Sequence, residues 1–140
     1  QQFAEDVLDG LNAHPKTLPS KYFYDKKGDA LFQEIMNLEE YYLTRAEYEV
    51  FETNKTALRD TFLNGAEKFD LIEFGAGDGH KTKVLLNYFL ESNISFEYLP
   101  IDISGNVLQQ LESTLKNELP DIGNFQNASA LEFLSELYAR

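Results

Sequence analysis

A short apolar strand followed at once by a glycine-rich turn is the feature that most restricts how this chain can fold. Residues 69–74 have the composition of a buried strand, and Gly75, Gly77 and Gly79 follow them directly. Glycines between a strand and a helix allow a tight turn and let a ligand approach the backbone. Free N–H groups at the start of the next helix then face that ligand. The motif therefore predicts an α/β fold with a ligand site at the carboxyl end of this strand.

Helical patterns dominate the chain before the motif. Apolar side chains recur on one helical face up to about Asn12, and Asp29 is the predicted N-cap of a short helix. The capping box Thr44–Glu47 predicts the start of a longer helix, which the Asn64–Gly65 pair ends. We therefore expect residues 1–65 to form an N-terminal helical segment.

The chain after the motif alternates helix and strand. A helix follows the glycines, then a second strand over 96–102, then a helix capped by Ser104 and a last helix opened by the capping box Ser129–Glu132. Pro100 lacks a ladder donor, so we expect an edge position or a bulge there. A strand–helix–strand unit of these lengths predicts a right-handed parallel pair. Residues 66–140 are thus predicted to be a partial Rossmann-like domain with a parallel sheet.

Charge and composition restrict the partners. The chain has 140 residues, with 12 Lys+Arg against 24 Asp+Glu and no Cys, and its formal net charge is −12. This charge disfavours nucleic acid and anionic membranes as partners. The absence of Cys excludes disulfides and thiolate sites, and His14 and His80 have no metal-ligand spacing, so we expect no metal. No apolar run reaches the roughly 18 residues of a membrane span, and no signal peptide is evident, so we expect a cytoplasmic protein.

The residues around the glycines indicate which ligand they hold. The dinucleotide fingerprint requires Gly-x-Gly-x-x-Gly, and here His80 occupies the position of its third glycine. Glu73 precedes the glycines and suits a cationic group better than a pyrophosphate. Asp102, at the end of the second strand, is the expected partner of ribose hydroxyls. We therefore favour S-adenosylmethionine (SAM), which carries a sulfonium and an ammonium but no phosphate, over NAD.

Each of these residues also has a purely structural interpretation. A glycine loop is often only a turn, Glu73 fits a solvated charge at a strand end, and Asp102 fits a cap before the next helix. Their convergence on one place favours a ligand site. Tyrosines and a phenylalanine cluster before the motif. They either pack the N-terminal helices onto the sheet, which we expect for Tyr22 and Phe23, or line a small-molecule pocket with their polar tips. These aromatic residues are Tyr22, Phe23, Tyr24, Tyr41 and Tyr42.

Four motifs in order and at matching spacing make the chain similar to the N-terminal part of the histidine-specific methyltransferase family. The four motifs are residues 18–25, residues 40–47, residues 73–77 with 81–82, and residues 100–102. The first two of these are far more specific than the glycine loop. The resemblance implies a Rossmann-like, class I SAM-dependent methyltransferase core. It also implies trimethylation of the α-amino group of L-histidine to hercynine, in the ergothioneine pathway.

The resemblance assigns a cofactor role to several residues. Gly75 and Gly77, with Ala76 between them, would let the methionine part of SAM approach the backbone. Lys81 would contact the carboxylate end of the cofactor, and Asp102 would hold the ribose hydroxyls. No catalytic residue is implied, because a sulfonium is a strong electrophile and an α-amino group with a pKa of about 7.7–8.0 is easily neutral. Alignment of the reacting groups is then the main task of the protein.

The resemblance also assigns substrate and adenine contacts. Tyr24 and Tyr41 match substrate-pocket tyrosines, and Asn124 with Phe125 matches an adenine-contacting segment in which the family has Asp in place of Asn. The family is over twice this length, so we expect the missing C-terminal half, with the remaining strands and the imidazole-recognising residues, to lie beyond Arg140. Relatives that act on tryptophan-derived substrates leave the amino acid open. An NAD-dependent oxidoreductase and a non-catalytic module remain the alternatives from other classes.

Overall fold

The computed structural model describes residues 1–122 and the backbone of residues 128–129. The predicted last helix and the Asn124–Phe125 segment lie outside the described residues. In chain order the elements are α1 (Gln2–Asn12), a 3₁₀ turn (Ser20–Phe23), α2 (Lys26–Met36), α3 (Leu43–Leu63), β1 (Lys68–Phe74), α4 (Thr82–Glu91), β2 (Ser95–Asp102), α5 (Gly105–Glu118) and β3 (Ala128–Ser129). In this part of the chain, no helix is both long and apolar enough to cross a bilayer.

The strands form a parallel sheet in the order β1-β2-β3. β1 and β2 pair in continuous register from Lys68 opposite Ser95 to Phe74 opposite Ile101, which confirms the predicted parallel pair. β3 adds to the other side of β2 at its end, and the sequence reading missed it. A strand of two residues has no alternation of apolar and polar side chains for a pattern to detect.

Pro100 lies in the central strand of the described sheet. The register of β2 runs through it without a bulge. The carbonyl of Ile101 accepts hydrogen bonds from the loop after β1, so the nitrogen of Pro100 faces the opposite side, toward β3. Within the described residues, pairing with β3 begins at Ile101. Because its nitrogen points away from β1, Pro100 removes no hydrogen bond from the ladder between β1 and β2.

The core lies between the sheet and α3, α4 and α5. Phe89 of α4 and Tyr98 of β2 are fully buried, and the apolar stripe of α5 packs against the same side. Phe69 and Phe96 stack at 6.0 Å between ring centroids. Phe62 of α3 packs against Phe69 and Phe89. Burial of these rings fixes α4 against the strands. The glycine loop that joins β1 to α4 is therefore held on a rigid base.

The start of α2 differs from the prediction. Asp25 is its N-cap, and the Asp25 carboxylate accepts a hydrogen bond from the Gly28 amide at 2.8 Å. Asp29 lies within the first turn and is buried. The predicted cap was wrong because two acidic residues four apart both precede the apolar face. Local pattern alone does not decide between them.

The ends of α3 and α5 test three further predictions. α3 begins at Leu43 without a side-chain cap, so the predicted capping box at Thr44 does not form. Its Glu47 makes a long-range ion pair instead. The left-handed Asn64 ends α3, as predicted. Ser104 caps α5 by accepting from the amide of Val107, also as predicted.

Candidate functional site

A cavity of about 530 Å³ opens at the carboxyl ends of β1 and β2, within the size range of small-molecule sites. One wall is the glycine loop, residues 75–78, together with Lys81. A second wall is the end of β2, with Asp102 and Ile103. The third wall comes from the N-terminal segment, through Tyr24, α2 and the start of α3. The cavity thus lies where parallel sheets bind ligands.

The glycine loop presents an open backbone to the cavity. Gly75 and Gly77 have φ of 69° and 58°, in the left-handed region that favours glycine. A Cβ built at either position meets nothing within 4 Å. The amides of Gly75 and Ala76 donate to the carbonyl of Ile101 at 2.8 and 3.3 Å. The loop is therefore anchored to β2, while its cavity side remains open to a small-molecule ligand.

Asp102 links the two walls formed by the α/β part. One oxygen of its carboxylate accepts from the amide of Gly77 at 3.0 Å, and the other accepts from the amide of Ser104 at 2.9 Å. Asp102 also lines the cavity. A carboxylate oxygen can accept more than one hydrogen bond. Asp102 can therefore both order the turn before α5 and bind a ligand, so the structural and the ligand-binding interpretations of this residue are compatible.

Lys81 reaches the cavity from the residue before α4. Its Nζ lies 2.8 Å from Oε2 of Glu47 on α3. Both side chains line the cavity and both are partly exposed. Ion pairs in that setting are weak, because water competes for each charge. Lys81 is therefore available to a ligand anion at a small cost in free energy.

Glu73 lies outside the cavity. Strand alternation turns its side chain to the helix-covered face of the sheet, where its carboxylate accepts from Thr82 Oγ1 at 2.7 Å and from the Tyr98 hydroxyl at 2.6 Å. Burial and this carboxylate together raise the pKa of Tyr98 well above its usual range, so Tyr98 stays a donor. In this structure Glu73 thus holds α4 and β2 together below the glycine loop, and its expected contact with a ligand cation stays a prediction.

Tyr24 and Tyr41 both line the cavity from the N-terminal segment. Tyr24 follows the 3₁₀ turn and is half exposed. Tyr41 packs edge-on against Phe32 of α2, at 6.0 Å between centroids. By contrast, the Tyr22 hydroxyl donates to Asp6 of α1 at 2.6 Å, so Tyr22 connects the 3₁₀ turn to α1. Phe23 is 65% exposed, so the expected packing of Phe23 was wrong.

Sequence reasoning missed three acidic residues of the cavity wall. Asp29, Glu47 and Asp78 line it together with Asp102, whereas the described lining residues include one lysine, Lys81. An excess of carboxylates favours a ligand that carries positive charge. Composition gives a weak indication of this, because the whole chain is acidic. Which acids converge on one cavity depends on the fold.

His80 is at the edge of the cavity and stacks on Tyr48, at 5.6 Å between ring centroids. Within residues 1–122, no three His, Cys, Asp or Glu side chains are grouped to hold a metal ion.

Comparison with known proteins identifies one family. The family model described as histidine-specific methyltransferase, SAM-dependent, matches residues 3–131. A histidine N-alpha-methyltransferase of Mycolicibacterium smegmatis is 35% identical over 117 residues, which cover 84% of this chain and 35% of that protein.

Two fungal relatives are similar to the same region. The N-methyltransferase imqF of Aspergillus flavus is 36% identical over 82% of this chain and 30% of its own length. Ergothioneine biosynthesis protein 1 of Schizosaccharomyces pombe is 34% identical over 66% of this chain and 12% of its own length. The chain spans about a third of the length of the first curated relatives that it matches.

Proposed function

Because this chain belongs to the family of SAM-dependent, histidine-specific methyltransferases, we propose that its cavity binds SAM. We propose further that the protein methylates the α-amino group of L-histidine, up to the trimethylated product hercynine. The observation that carries the proposal is the glycine loop, whose Cβ positions at Gly75 and Gly77 are open to an acidic cavity. We retain the division into residues 1–65 and 66–140 as part of this proposal.

The residues of the α/β part fit the parts of the cofactor. Ala76 and its flanking glycines leave room for the methionine part, and Lys81 Nζ supplies a cation for its carboxylate. Asp102 has acceptor capacity left for ribose hydroxyls beside its two backbone contacts. Bound SAM supplies an activated methyl group on a positively charged sulfur. Asn124 and Phe125 remain proposed adenine contacts on the strength of the resemblance alone.

The residues of the N-terminal segment fit the amino-acid side of the reaction. Tyr24 and Tyr41 bring two aromatic rings to the cavity from the N-terminal segment. Aromatic faces attract quaternary ammonium groups through cation–π interactions, of about 0.5–2 kcal/mol each. The trimethylated product carries such a group. We therefore propose that these tyrosines hold the amine in line with the methyl donor, which is mainly a task of orientation.

Ligand titration tests the cofactor part of the proposal. Isothermal titration calorimetry compares S-adenosylhomocysteine with NAD in the natural full-length protein. We expect S-adenosylhomocysteine to bind at micromolar concentrations and NAD to give no heat, because His80 replaces the third glycine of the dinucleotide fingerprint. Binding of NAD but not of S-adenosylhomocysteine would favour an oxidoreductase and would refute the proposal.

Mass spectrometry tests the reaction. Incubation of the full-length protein with SAM and L-histidine should give products heavier by one, two and three methyl groups. Tyr24→Ala and Tyr41→Ala remove the ring, whereas the matched variants Tyr24→Phe and Tyr41→Phe keep it and lose only the hydroxyl. If the ring faces hold the amine, kcat/KM for histidine should fall in the Ala variants and stay near wild type in the Phe variants. Wild-type values in both Ala variants would remove the tyrosines from the substrate assignment.

The same chemistry on another amine is the second candidate. It is supported by a relative from Claviceps purpurea that is named 4-dimethylallyltryptophan N-methyltransferase and is 28% identical over 88% of this chain and 33% of its own length. Parallel incubations with L-tryptophan and its derivatives distinguish the two. Methylation of these and not of histidine would retain the cofactor part of the proposal and change its substrate. We also propose that residues 1–140 alone have little or no activity.

A further inference from the structure

Asp29 makes a buried contact between segments that are far apart in the chain. Its carboxylate oxygen Oδ2 accepts from Ser104 Oγ at 2.6 Å and from Asn106 Nδ2 at 3.1 Å. Asp29 is only 9% exposed and lines the cavity. Hydrogen bonds to a charged and buried acceptor are among the stronger ones in proteins. This contact therefore has the strength to determine where α2 lies.

The contact continues into the cofactor wall. Ser104 donates its hydroxyl hydrogen to Asp29, while its Oγ accepts from the Val107 amide and its own amide donates to Asp102. Asp102 in turn accepts from the amide of Gly77. An unbroken series of hydrogen bonds thus connects α2 to the glycine loop.

Among the described residues, few other contacts hold α2 in place. In the described part of the chain, Asp29 makes every hydrogen bond that joins α2 to the α/β part. The apolar residues Leu31, Phe32 and Ile35 on α2 are between 41% and 49% exposed. The same helix nevertheless supplies Phe32, Gln33 and Met36 to the cavity wall, and Phe32 supports Tyr41. A single buried side chain therefore links the position of this wall to the glycine loop.

We propose that Asp29 is a positioning residue, which fixes the α2 wall and the tyrosine that it supports at a set distance from the glycine loop. It acts through Ser104 and Asn106 and touches no reacting atom. The consequence for catalysis rests on the proposed function, because it assumes that the amino acid binds between this wall and the loop. The mechanical part of the proposal does not depend on that assumption.

Hydrogen exchange tests the mechanical part on the natural full-length protein without any ligand. In Asp29→Ala we expect the α2 amides, Lys26–Met36, to exchange at least about tenfold faster, because α2 loses its anchor and opens locally more often. The exchange of β1, β2 and α4 should be unchanged. Asp29→Asn should restore slow exchange, since its amide oxygen still accepts from Ser104. Asp9→Asn, an exposed change on α1, is the matched control and should have no effect.

Steady-state kinetics tests the consequence. Asp29→Ala should raise the KM for the amino acid about tenfold, while the Kd for S-adenosylhomocysteine changes less than about threefold. Asp29→Asn should recover most of the loss. If Asp29→Ala does not fold, Asn106→Ala removes one donor and leaves the α5 cap intact, and its α2 amides should exchange faster by a smaller factor.

Two results would overturn the proposal. One is unchanged exchange of α2 in the Asp29 and Asn106 variants, and the other is faster exchange spread equally over the sheet and α2. Failure of the wild-type protein to bind S-adenosylhomocysteine would instead contradict the proposed function, and it would leave the exchange result to decide the role of Asp29.

Discussion

At the scale of single residues, three carboxylates near the glycine loop differ in what their oxygens bind. Glu73 accepts from two side-chain hydroxyls below the loop, Asp102 accepts from two backbone amides beside it, and Glu47 pairs with a lysine across the cavity. Removal of a buried acceptor leaves its donors without partners, whereas removal of an exposed one does not. The three residues therefore give distinct predictions.

Glu73→Ala should destabilise the fold more than it weakens ligand binding. The buried Tyr98 hydroxyl would lose its acceptor, and we expect the free energy of unfolding to fall by about 2–3 kcal/mol. Glu73→Gln keeps one amide oxygen as acceptor and should lose less. Urea unfolding measures both, and titration with S-adenosylhomocysteine should give a Kd within about threefold of wild type. A tenfold weaker Kd at unchanged stability would return Glu73 to the ligand site.

Lys81→Met should raise the Kd for S-adenosylhomocysteine by about tenfold, because a charge-assisted contact to the ligand carboxylate is lost. Glu47→Gln removes the competing partner of Lys81 and should leave the Kd unchanged or slightly lower. Calorimetry at two salt concentrations measures both variants. Equal Kd values for Lys81→Met and wild type would show that the lysine serves only its ion pair with α3.

At the scale of elements, two of the glycines between β1 and α4, Gly77 and Gly79, have similar backbone conformations and different surroundings. Gly77 and Gly79 have φ of 58° and 68°. A Cβ on Gly77 would meet open space, whereas a Cβ on Gly79 would clash with Cδ1 of the buried Leu111 on α5. Gly77 therefore leaves room for a ligand, and Gly79 leaves room for α5.

The pair Gly77→Ala and Gly79→Ala separates these roles. Both variants take on backbone strain of about 1–2 kcal/mol. Gly79→Ala should lose a further 1–3 kcal/mol, roughly, because the core is overpacked at Leu111. Gly77→Ala should keep that stability and lose at least about tenfold in affinity for S-adenosylhomocysteine. Urea unfolding measures the stability of the two variants, and calorimetry on the same samples measures their affinity for S-adenosylhomocysteine. Equal losses of stability would show that the contact with Leu111 relaxes.

The helix caps give a second pair at this scale. Asp25→Ala should reduce the free energy of unfolding by about 1 kcal/mol, because it removes the side-chain cap of α2. Thr44→Ala should change it by less than about 0.5 kcal/mol, since the Thr44 hydroxyl does not cap α3. Urea unfolding of the two variants compares them directly. A larger loss in Thr44→Ala would show that the capping box forms after all.

At the scale of the whole molecule, the N-terminal helix is attached through a small charged cluster. Lys21 lies 2.6 Å from the carboxylate of Asp6, and the Tyr22 hydroxyl donates to the same carboxylate. Phe3 packs edge-on against the Tyr22 ring. The Lys21 and Tyr22 contacts hold the pKa of Asp6 well below its usual range. The attachment of α1 therefore depends on pH.

The sign of this dependence follows from the lowered pKa. Asp6 stabilises the folded state at pH values above its unfolded pKa of about 4, and this contribution is lost as the pH falls through the lowered pKa. The Tm of Asp6→Asn should thus be below that of wild type at pH 7, and the difference should shrink as the pH falls below about 4. Thermal melts across this range measure the difference, with Asp9→Asn as the control. A constant difference down to pH 2 would contradict the assignment.

The sequence by itself determined the elements whose cause is local. Strand alternation, glycines after a strand, the left-handed end of α3 at Asn64 and the Ser104 cap are all encoded within a few residues, because backbone sterics and side-chain spacing act over one turn or one strand pair. The same holds for the location of the cavity, since parallel strands that run side by side open their carboxyl ends at one edge.

The tertiary structure alone decided which side chains meet. Asp25 rather than Asp29 caps α2, Glu73 faces the helices, and Glu47 pairs with Lys81 instead of closing a capping box. β3 pairs with the end of β2, a strand that is more than 25 residues earlier in the chain. In the case of Asp29, the partners lie 75 and 77 residues away. Such contacts leave no periodicity in the sequence, because they form only after separate elements have packed together.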